Sequence, residues 1–211
     1  MEAIILCGGR GTRLKDTIGD IPKCLAPIHG RPFLDYLLHS LSSRGITRFI
    51  LATGYQKHLV RQAYENSKYN IVWSEEETPL GTGGAVKQAL RYAIEPNIFI
   101  INGDILFDID LKEMLAFHIR NKYTITAAGS ISAAVFGEVT GSMSVAFPKF
   151  FTFGGTTIIV REMEARLTYE ATFEDAFSDY YLGLYGSDKA FIDIGTPESY
   201  ERIKHLKIDC A

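Results

Sequence analysis

The sequence has few cysteines, no surplus of positive charge and no long apolar run, and each shortage excludes a class of protein. Cys7, Cys24 and Cys210 are odd in number and widely spaced. They match neither a disulfide framework nor a metal pattern, so a reducing compartment, the cytoplasm, is the expectation. A net charge of −3 argues against broad electrostatic binding to nucleic acid or to an anionic membrane surface. No stretch approaches the roughly 18 apolar residues of a membrane span. The short run behind Glu2 ends in glycines and arginines, unlike a signal peptide. His29, His39, His58, His118 and His205 share no metal-ligand spacing and read as surface or capping residues.

What is present is ordinary for a soluble enzyme-sized chain: 211 residues, 46% hydrophobic and 22% charged. That fits a single domain over residues 1–211 with a sizeable core. Strand patterns at Ala3–Leu6, Arg48–Thr53, Asn70–Trp73, Ile98–Asn102 and Tyr123–Ala127 alternate with helical patterns at Phe33–Ser43, Gln56–Glu65, Ala85–Ile94 and Leu111–Asn121. Asp108 or Asp110 can cap the last of these. The alternation argues for an α/β fold with a mostly parallel sheet and helices on both faces.

After residue 128 the pattern becomes β-rich. Gly129–Val145 is rich in small residues, Ser144–Phe151 is apolar and aromatic, and Thr156–Val160, Leu182–Tyr185 and Ala190–Ile192 read as strands. A short helix is expected at Phe173–Asp179. Thr196-Pro197-Glu198 opens a last helix to about Leu206, with Thr as N-cap and Pro at its first position.

The chemistry begins at the first strand. Ile4-Ile5-Leu6-Cys7 runs into Gly8-Gly9-Arg10-Gly11-Thr12-Arg13-Leu14, with Pro22-Lys23 close behind. Glycines let the backbone approach a bulky anion, successive N–H groups can surround phosphate oxygens, and Arg10, Arg13 and Lys23 add positive charge. In parallel α/β folds ligands sit beyond the carboxyl ends of the strands, where this loop falls. No glycine precedes a Lys-Ser or Lys-Thr pair, and position 14 is Leu where a dinucleotide fingerprint needs Gly, so both better-known phosphate loops are excluded.

Two carboxylates also stand at strand ends: Asp104, after Ile98–Ile101 and Asn102-Gly103, and Asp193, after Phe191-Ile192. Asp104 alone reads as a turn or cap residue. The second aspartate makes a Mg²⁺ clamp plausible, since that ion takes one or two carboxylates together with phosphate oxygens.

The run Gly8-Gly9-x-Gly11-Thr12-Arg13-Leu14 with Pro22-Lys23 resembles the signature of the sugar-1-phosphate nucleotidyltransferases. The resemblance continues in the family's order through Leu80-Gly81-Thr82-Gly83-Gly84, Asn102-Gly103-Asp104 and Phe191–Pro197, and so covers most of the chain. It implies a Rossmann-like three-layer α/β/α fold, with residues 1–128 binding the nucleotide and 129–211 the sugar phosphate. It implies that Leu6, Cys7, Gly8, Gly9, Arg10, Gly11 and Thr12 hold the triphosphate, and that Glu76, Leu80, Gly81 and Thr82 face the base. Arg13 and Lys23 are implied to neutralise phosphate charge, Asp104 and Asp193 to hold Mg²⁺, and Asn102, Gly103, Gly137 and Gly155 to meet the sugar phosphate.

The implied reaction is attack of the sugar 1-phosphate on the α-phosphorus of a nucleoside triphosphate, with loss of pyrophosphate. A carboxylate at Glu76 suits guanine, whose N1–H and N2–H₂ are adjacent donors. Glu75-Glu76-Glu77 equally suits a solvated acidic run. Among subfamilies, the segments from Lys15 to Pro22, Glu76 to Gly84 and Phe191 to Gly195 are most similar to bacterial D-glycero-D-manno-heptose 1-phosphate guanylyltransferases. The sugar pocket departs from the pattern: Phe153 stands where the family has Asn, and the segment after Gly137 is shortened. Mannose-1-phosphate guanylyltransferase, a uridylyl- or thymidylyltransferase, and a silent nucleotide-binding regulatory subunit remain as alternatives. The aromatics from Phe147 to Phe153 suit core, a homodimer surface or, less readily, a sugar platform.

Overall fold

Successive side chains of Ala3-Ile4-Ile5-Leu6 turn to opposite faces of a strand, and both faces are covered. Ala3 and Ile5 pack in one apolar cluster, Ile4 and Leu6 in another. Phe49 and Leu51 divide from Ile50 and Ala52 in the same way, as do Phe99 and Ile101 from Ile98 and Ile100. Strands buried on both faces need a helical layer on each side. The computed structural model, which describes residues 1–131, 151–161, 182–187, 189 and 191–206, shows that arrangement.

The described elements are, in order, β1 (Glu2–Leu6), α1 (Lys15–Ile18), β2 (Pro27–Ile28), β3 (Arg31–Pro32), α2 (Phe33–Ser43), β4 (Arg48–Thr53), α3 (Lys57–Tyr64), β5 (Ile71–Glu75) and α4 (Gly81–Leu90). There follow β6 (Asn97–Asn102), β7 (Ile105–Phe107), α5 (Leu111–Arg120), β8 (Ile125–Ile131), β9 (Phe151–Val160), β10 (Leu182–Ser187), β11 (Phe191–Asp193) and α6 (Pro197–Ile203). The main sheet has seven strands in the order β10-β8-β9-β6-β1-β4-β5. All its pairings are parallel except those of β9, which runs antiparallel to both β6 and β8. Leu34, Leu37 and Leu38 of α2, Val60 of α3 and Met114 of α5 cover one face. Val86, Ala89 and Leu90 of α4 cover the other. Among the described residues no helix is long and apolar enough to cross a membrane.

A third cluster joins the two ends of the chain. Leu14, Ala26, Ile28, Phe33 and Tyr36 bury against Ile194, Tyr200 and Ile203. The Tyr200 hydroxyl donates to the Pro27 carbonyl at 2.7 Å. Thr196 caps α6 in a capping box with Ser199, and Pro197 follows it. Ile194 is wholly buried, so the residues on either side of it, Asp193 and Gly195, are pinned to the N-terminal half.

Several elements differ from the sequence reading. Helix α4 starts at Gly81, four residues before the expected Ala85, because Gly83 and Gly84 are themselves buried in its first turns. It stops at Leu90, ahead of the turns leading to Pro96. Strand β7 was not anticipated, being only three residues long; it exists through antiparallel pairing with β11. Asp110, not Asp108, caps α5, accepting the N–H groups of Lys112 and Glu113 at 2.9 and 3.0 Å. Asp108 pairs instead with Arg44 at 2.7 Å. The helix expected at Phe173–Asp179 lies outside the described residues, as does nearly all of Gly129–Phe151 apart from the strand ends.

His118 is not on the surface. Its place on α5, four residues after Met114, turns it inward, where it is 1% exposed and its Nδ1 meets Thr126 Oγ1 at 2.8 Å. Burial lowers its pKa from 6.5 to about 4, since the cation is the form that suffers from desolvation. The unfolded chain therefore binds a proton that the folded chain refuses, and stability falls as pH drops from about 6.5 to about 4. Urea unfolding across that range should show a loss of about 2–3 kcal/mol from this group. In His118→Gln that part of the pH slope should vanish, whatever the variant's overall stability.

Candidate active site

Three neighbouring parallel strands end level with one another. Leu6 of β1 is in register with Ala52 of β4 and with Asn102 of β6. The chain therefore leaves the sheet along one edge at Cys7, at Gly54 and at Gly103. Short backbone bonds knit these exits: Cys7 N–H to Ala52 O at 2.8 Å, Gly103 N–H to Leu6 O at 3.0 Å and Tyr55 N–H to Gly8 O at 3.2 Å. A Cβ at Gly103 would lie 2.6 Å from Leu6 O and 2.9 Å from Cys7 Sγ, so only glycine fits. Gly11 has φ 57° and a Cβ there would lie 3.1 Å from Lys23 Cβ. Gly9, by contrast, has nothing within 4 Å of such a position and leaves the backbone open to a ligand.

Beyond this edge lies a cleft of about 610 Å³. Leu6, Cys7, Gly8, Gly9 and Arg10 line one side, and Glu76, Gly81 and Thr82 another. Lys23, Asn102, Gly103 and Asp104 close one end. Most residues singled out from the sequence thus share one cavity. Gly11, Thr12, Arg13, Leu80 and Asp193 do not line it. Arg13 is exposed and makes no ion pair among the described residues. Gly155 sits on β9 one residue before Thr156, which pairs with Ile101, so it comes level with Asn102 at the same edge. Gly154 and Gly155 form a bulge opposite the Ala128–Gly129 step. Gly137 lies outside the described residues.

The three consecutive glutamates have three different fates. Glu75 binds Arg61 at 2.6 Å and Glu77 binds Lys57 at 2.7 Å on the surface. Glu76 turns into the cleft, wedged where two glycines make room. Cβ atoms at Gly8 and Gly54 would come within 3.1 and 3.2 Å of its oxygens. Its Oε2 accepts the Leu80 N–H at 3.1 Å. Burial raises its pKa above the ordinary carboxylate value, and the Leu80 hydrogen bond pulls weakly the other way.

At the far end, β11 lies antiparallel to β7 with Asp193 opposite Ile105, and Ile194 N–H donates to Asp104 O at 3.0 Å. Two aspartates distant in the chain are thereby made neighbours. The Lys23 ammonium pairs with the Asp104 carboxylate. Asp193 Oδ1 accepts the Gly195 N–H at 2.5 Å. A Cβ at Gly195 would sit 2.7 Å from that Oδ1 and 3.2 Å from Lys23 Nζ, so the ammonium that pairs with Asp104 also lies close to the Asp193 turn. Among the described residues no group of three His, Cys, Asp or Glu could hold a metal. Two hard oxygen donors fit Mg²⁺ completed by phosphate oxygens and water, and would not suit a softer ion.

Cys7 and Cys24 are free, buried thiols on the cleft wall. Their mutual hydrogen bond, together with burial, holds Cys7 well above its ordinary pKa, which makes it inert. Sequence reading missed Gly54, Tyr55 and Asp20. The signal for the first two was present: Thr53-Gly54-Tyr55 follows an apolar strand just as Cys7-Gly8 and Asn102-Gly103 do.

The chain is similar to known proteins along most of its length. The model of the nucleotidyl transferase family matches residues 2–138. The chain is 38% identical to the D-glycero-alpha-D-manno-heptose 1-phosphate guanylyltransferase of Aneurinibacillus thermoaerophilus, over 96% of each chain. It is 33% identical to the enzyme of the same name from Campylobacter jejuni, over 95% of this chain and 97% of that one. Among solved structures it is similar to HddC from Yersinia pseudotuberculosis complexed with GMP-PN, with a TM-score of 0.82 and 27% identity over 96% of this chain and 97% of that one.

The contact at Gly103 yields a direct test. Gly103→Ala must push apart β1 and β6 at the cleft floor, with an overpacking cost of about 1–3 kcal/mol. Chemical denaturation should show that loss, whereas Gly9→Ala, with open space around it, should leave the midpoint within experimental error.

Proposed function

The chain belongs to the nucleotidyl transferase family, and from that membership we propose that it transfers GMP from GTP to D-glycero-alpha-D-manno-heptose 1-phosphate, releasing pyrophosphate. The observation that carries the choice of substrate is the 38% identity to a relative of that name over nearly the whole of both chains. The shared length includes the second half of the chain, which the family's pattern assigns to the sugar phosphate. The product, a GDP-heptose, is an activated donor for bacterial surface glycans, and the reaction runs in the cytoplasm.

The attacking phosphate is already an anion, so no protein nucleophile is needed. Catalysis is positioning and charge neutralisation. Backbone N–H groups from Gly8 to Thr12 hold the triphosphate along the cleft mouth, with Arg10 beside them. Lys23, at the end of the cleft, and Arg13, from the exposed rim, offset the charge that builds up around the α-phosphorus. Asp104 and Asp193 are the residues that would hold Mg²⁺, whose chemistry is to align phosphate oxygens and stabilise the pyrophosphate leaving group. The Lys23 ammonium pairs with Asp104, which sets it beside its point of use. Glu76 accepts the paired donors of guanine, with the first turn of α4 on the other side of the base. Asn102, Gly103 and Gly155 meet the sugar phosphate at the β6–β9 edge.

Pyrophosphate release from a panel of four triphosphates against heptose, mannose, glucose and N-acetylhexosamine 1-phosphates tests the reading. GTP with the heptose phosphate should be fastest; binding without release from any pair would leave only a regulatory role. Asp104→Asn and Asp193→Asn should each lower turnover by about 100-fold or more. Glu76→Gln should raise the KM for GTP by about 10-fold or more, the scale of a hydrogen bond to a charged group. Because the pKa of Glu76 lies above the ordinary value, GTP binding in the native enzyme should weaken on acidification before a normal glutamate would protonate. That acid limb should be missing in Glu76→Gln.

A further inference from the structure

The segment from Gly8 to Ile21 carries Arg10, Thr12 and Arg13, yet it is thinly attached to the rest of the protein. Leu14 is its only buried residue. Among the described residues its one backbone hydrogen bond to the body is Tyr55 N–H to Gly8 O, at 3.2 Å. The 3₁₀ turn at Thr12–Leu14 and the four-residue α1 are closed by bonds within the segment. Something else must hold a loop of this length in one shape.

Tyr55 is placed to do it. Besides the backbone bond to Gly8, its hydroxyl donates to Asp20 Oδ1 at 2.6 Å, at the other end of the loop. The Arg10 guanidinium lies over its ring, 5.9 Å from the centroid. The neighbouring Gln56 adds its side-chain amide, which donates to Asp20 O at 2.8 Å and to Asp20 Oδ2 at 3.0 Å. Gln56 does so from a left-handed backbone conformation, φ 46°, uncommon for a residue with a side chain. Lys15 completes the knot with an ion pair to Asp20 at 3.1 Å. One residue just past β4 therefore touches the loop near its start, at Gly8 and Arg10, and at its finish, at Asp20.

We propose that Tyr55 is a positioning residue that braces the phosphate-binding loop through Asp20, setting the loop's shape before the triphosphate arrives. A braced loop loses little freedom on binding, so its N–H groups and Arg10 meet the phosphates preformed; an unbraced loop must be ordered by the ligand, and affinity falls accordingly. The effect belongs to the triphosphate and not to the sugar phosphate, because Tyr55 and Asp20 stand away from the β6–β9 edge. The inference rests on reading the cleft as a triphosphate site, but the state of the loop can be measured without any ligand.

The test compares the full-length protein with Tyr55→Phe, Asp20→Ala and the double variant. Hydrogen exchange in the absence of nucleotide should quicken about five-fold over residues 8–20 in Tyr55→Phe, the scale of one partly exposed hydrogen bond, and by more in Asp20→Ala, which also loses the Gln56 and Lys15 contacts. The melting midpoint should be unchanged. The KM for the triphosphate should rise by a similar factor, with kcat and the KM for the sugar phosphate held within about two-fold. Because both changes remove the same brace, the double variant should be no worse than Asp20→Ala alone. Unchanged exchange in the single variants, or additive effects in the double, would overturn the brace. Absence of pyrophosphate release from the unmodified protein would instead refute the proposed reaction, and the exchange experiment would still decide the role of Tyr55.

Discussion

The common register of β4, β1 and β6 is the constraint on which the site depends. Parallel strands hydrogen-bonded in step must end at the same level, and here Leu6, Ala52 and Asn102 are partners across the sheet. Everything past that line is turn, and the turns are crowded: Gly103 against Leu6, Gly8 and Gly54 against Glu76. Glycine at these places is a packing requirement.

Electrostatics then divides the cleft. At one end Lys23 and Asp193 close on Gly195 and Lys23 pairs with Asp104, brought together by the β7–β11 pair and the Ile194 hydrogen bond to Asp104. The Lys23 ammonium, paired with Asp104, sets a positive charge beside these carboxylates. At the other end Glu76 is desolvated and held by a single backbone N–H, which leaves lone pairs for a donor-rich ligand.

Much of this was readable from residue order. Alternating apolar runs announced the strands; Thr196-Pro197 announced α6; Gly8 to Leu14, Asn102-Gly103-Asp104 and Asp193 named themselves by standing where strands end. What escaped depends on contacts between distant residues. Strand β7 is too short to have a period, and exists because β11 pairs with it. Residue order alone left Glu76 as one of three acids, singled out only by the family resemblance; the structure sets it apart because its neighbours find Arg61 and Lys57. His118 looked polar and was buried, since one position on the inner face of α5 points at Thr126. Apolar spacing alone put the start of α4 at Ala85, because sequence rules assign its glycines to loops, and only the resemblance of Leu80–Gly84 to a helix-opening element pointed to the earlier start. Tyr55 carried no motif, only a position after a strand.

The central claim is that one cleft binds guanine at Glu76 and phosphates between the first glycine loop and the two aspartates. Crystals grown with Mn²⁺ and a non-hydrolysable GTP analogue test it in a single measurement. An anomalous peak between the Asp104 and Asp193 carboxylates, with guanine density against Glu76 and Lys23 moved from Asp104 to phosphate, is the predicted result. A metal peak away from both aspartates, or a base lying elsewhere than Glu76, would contradict it.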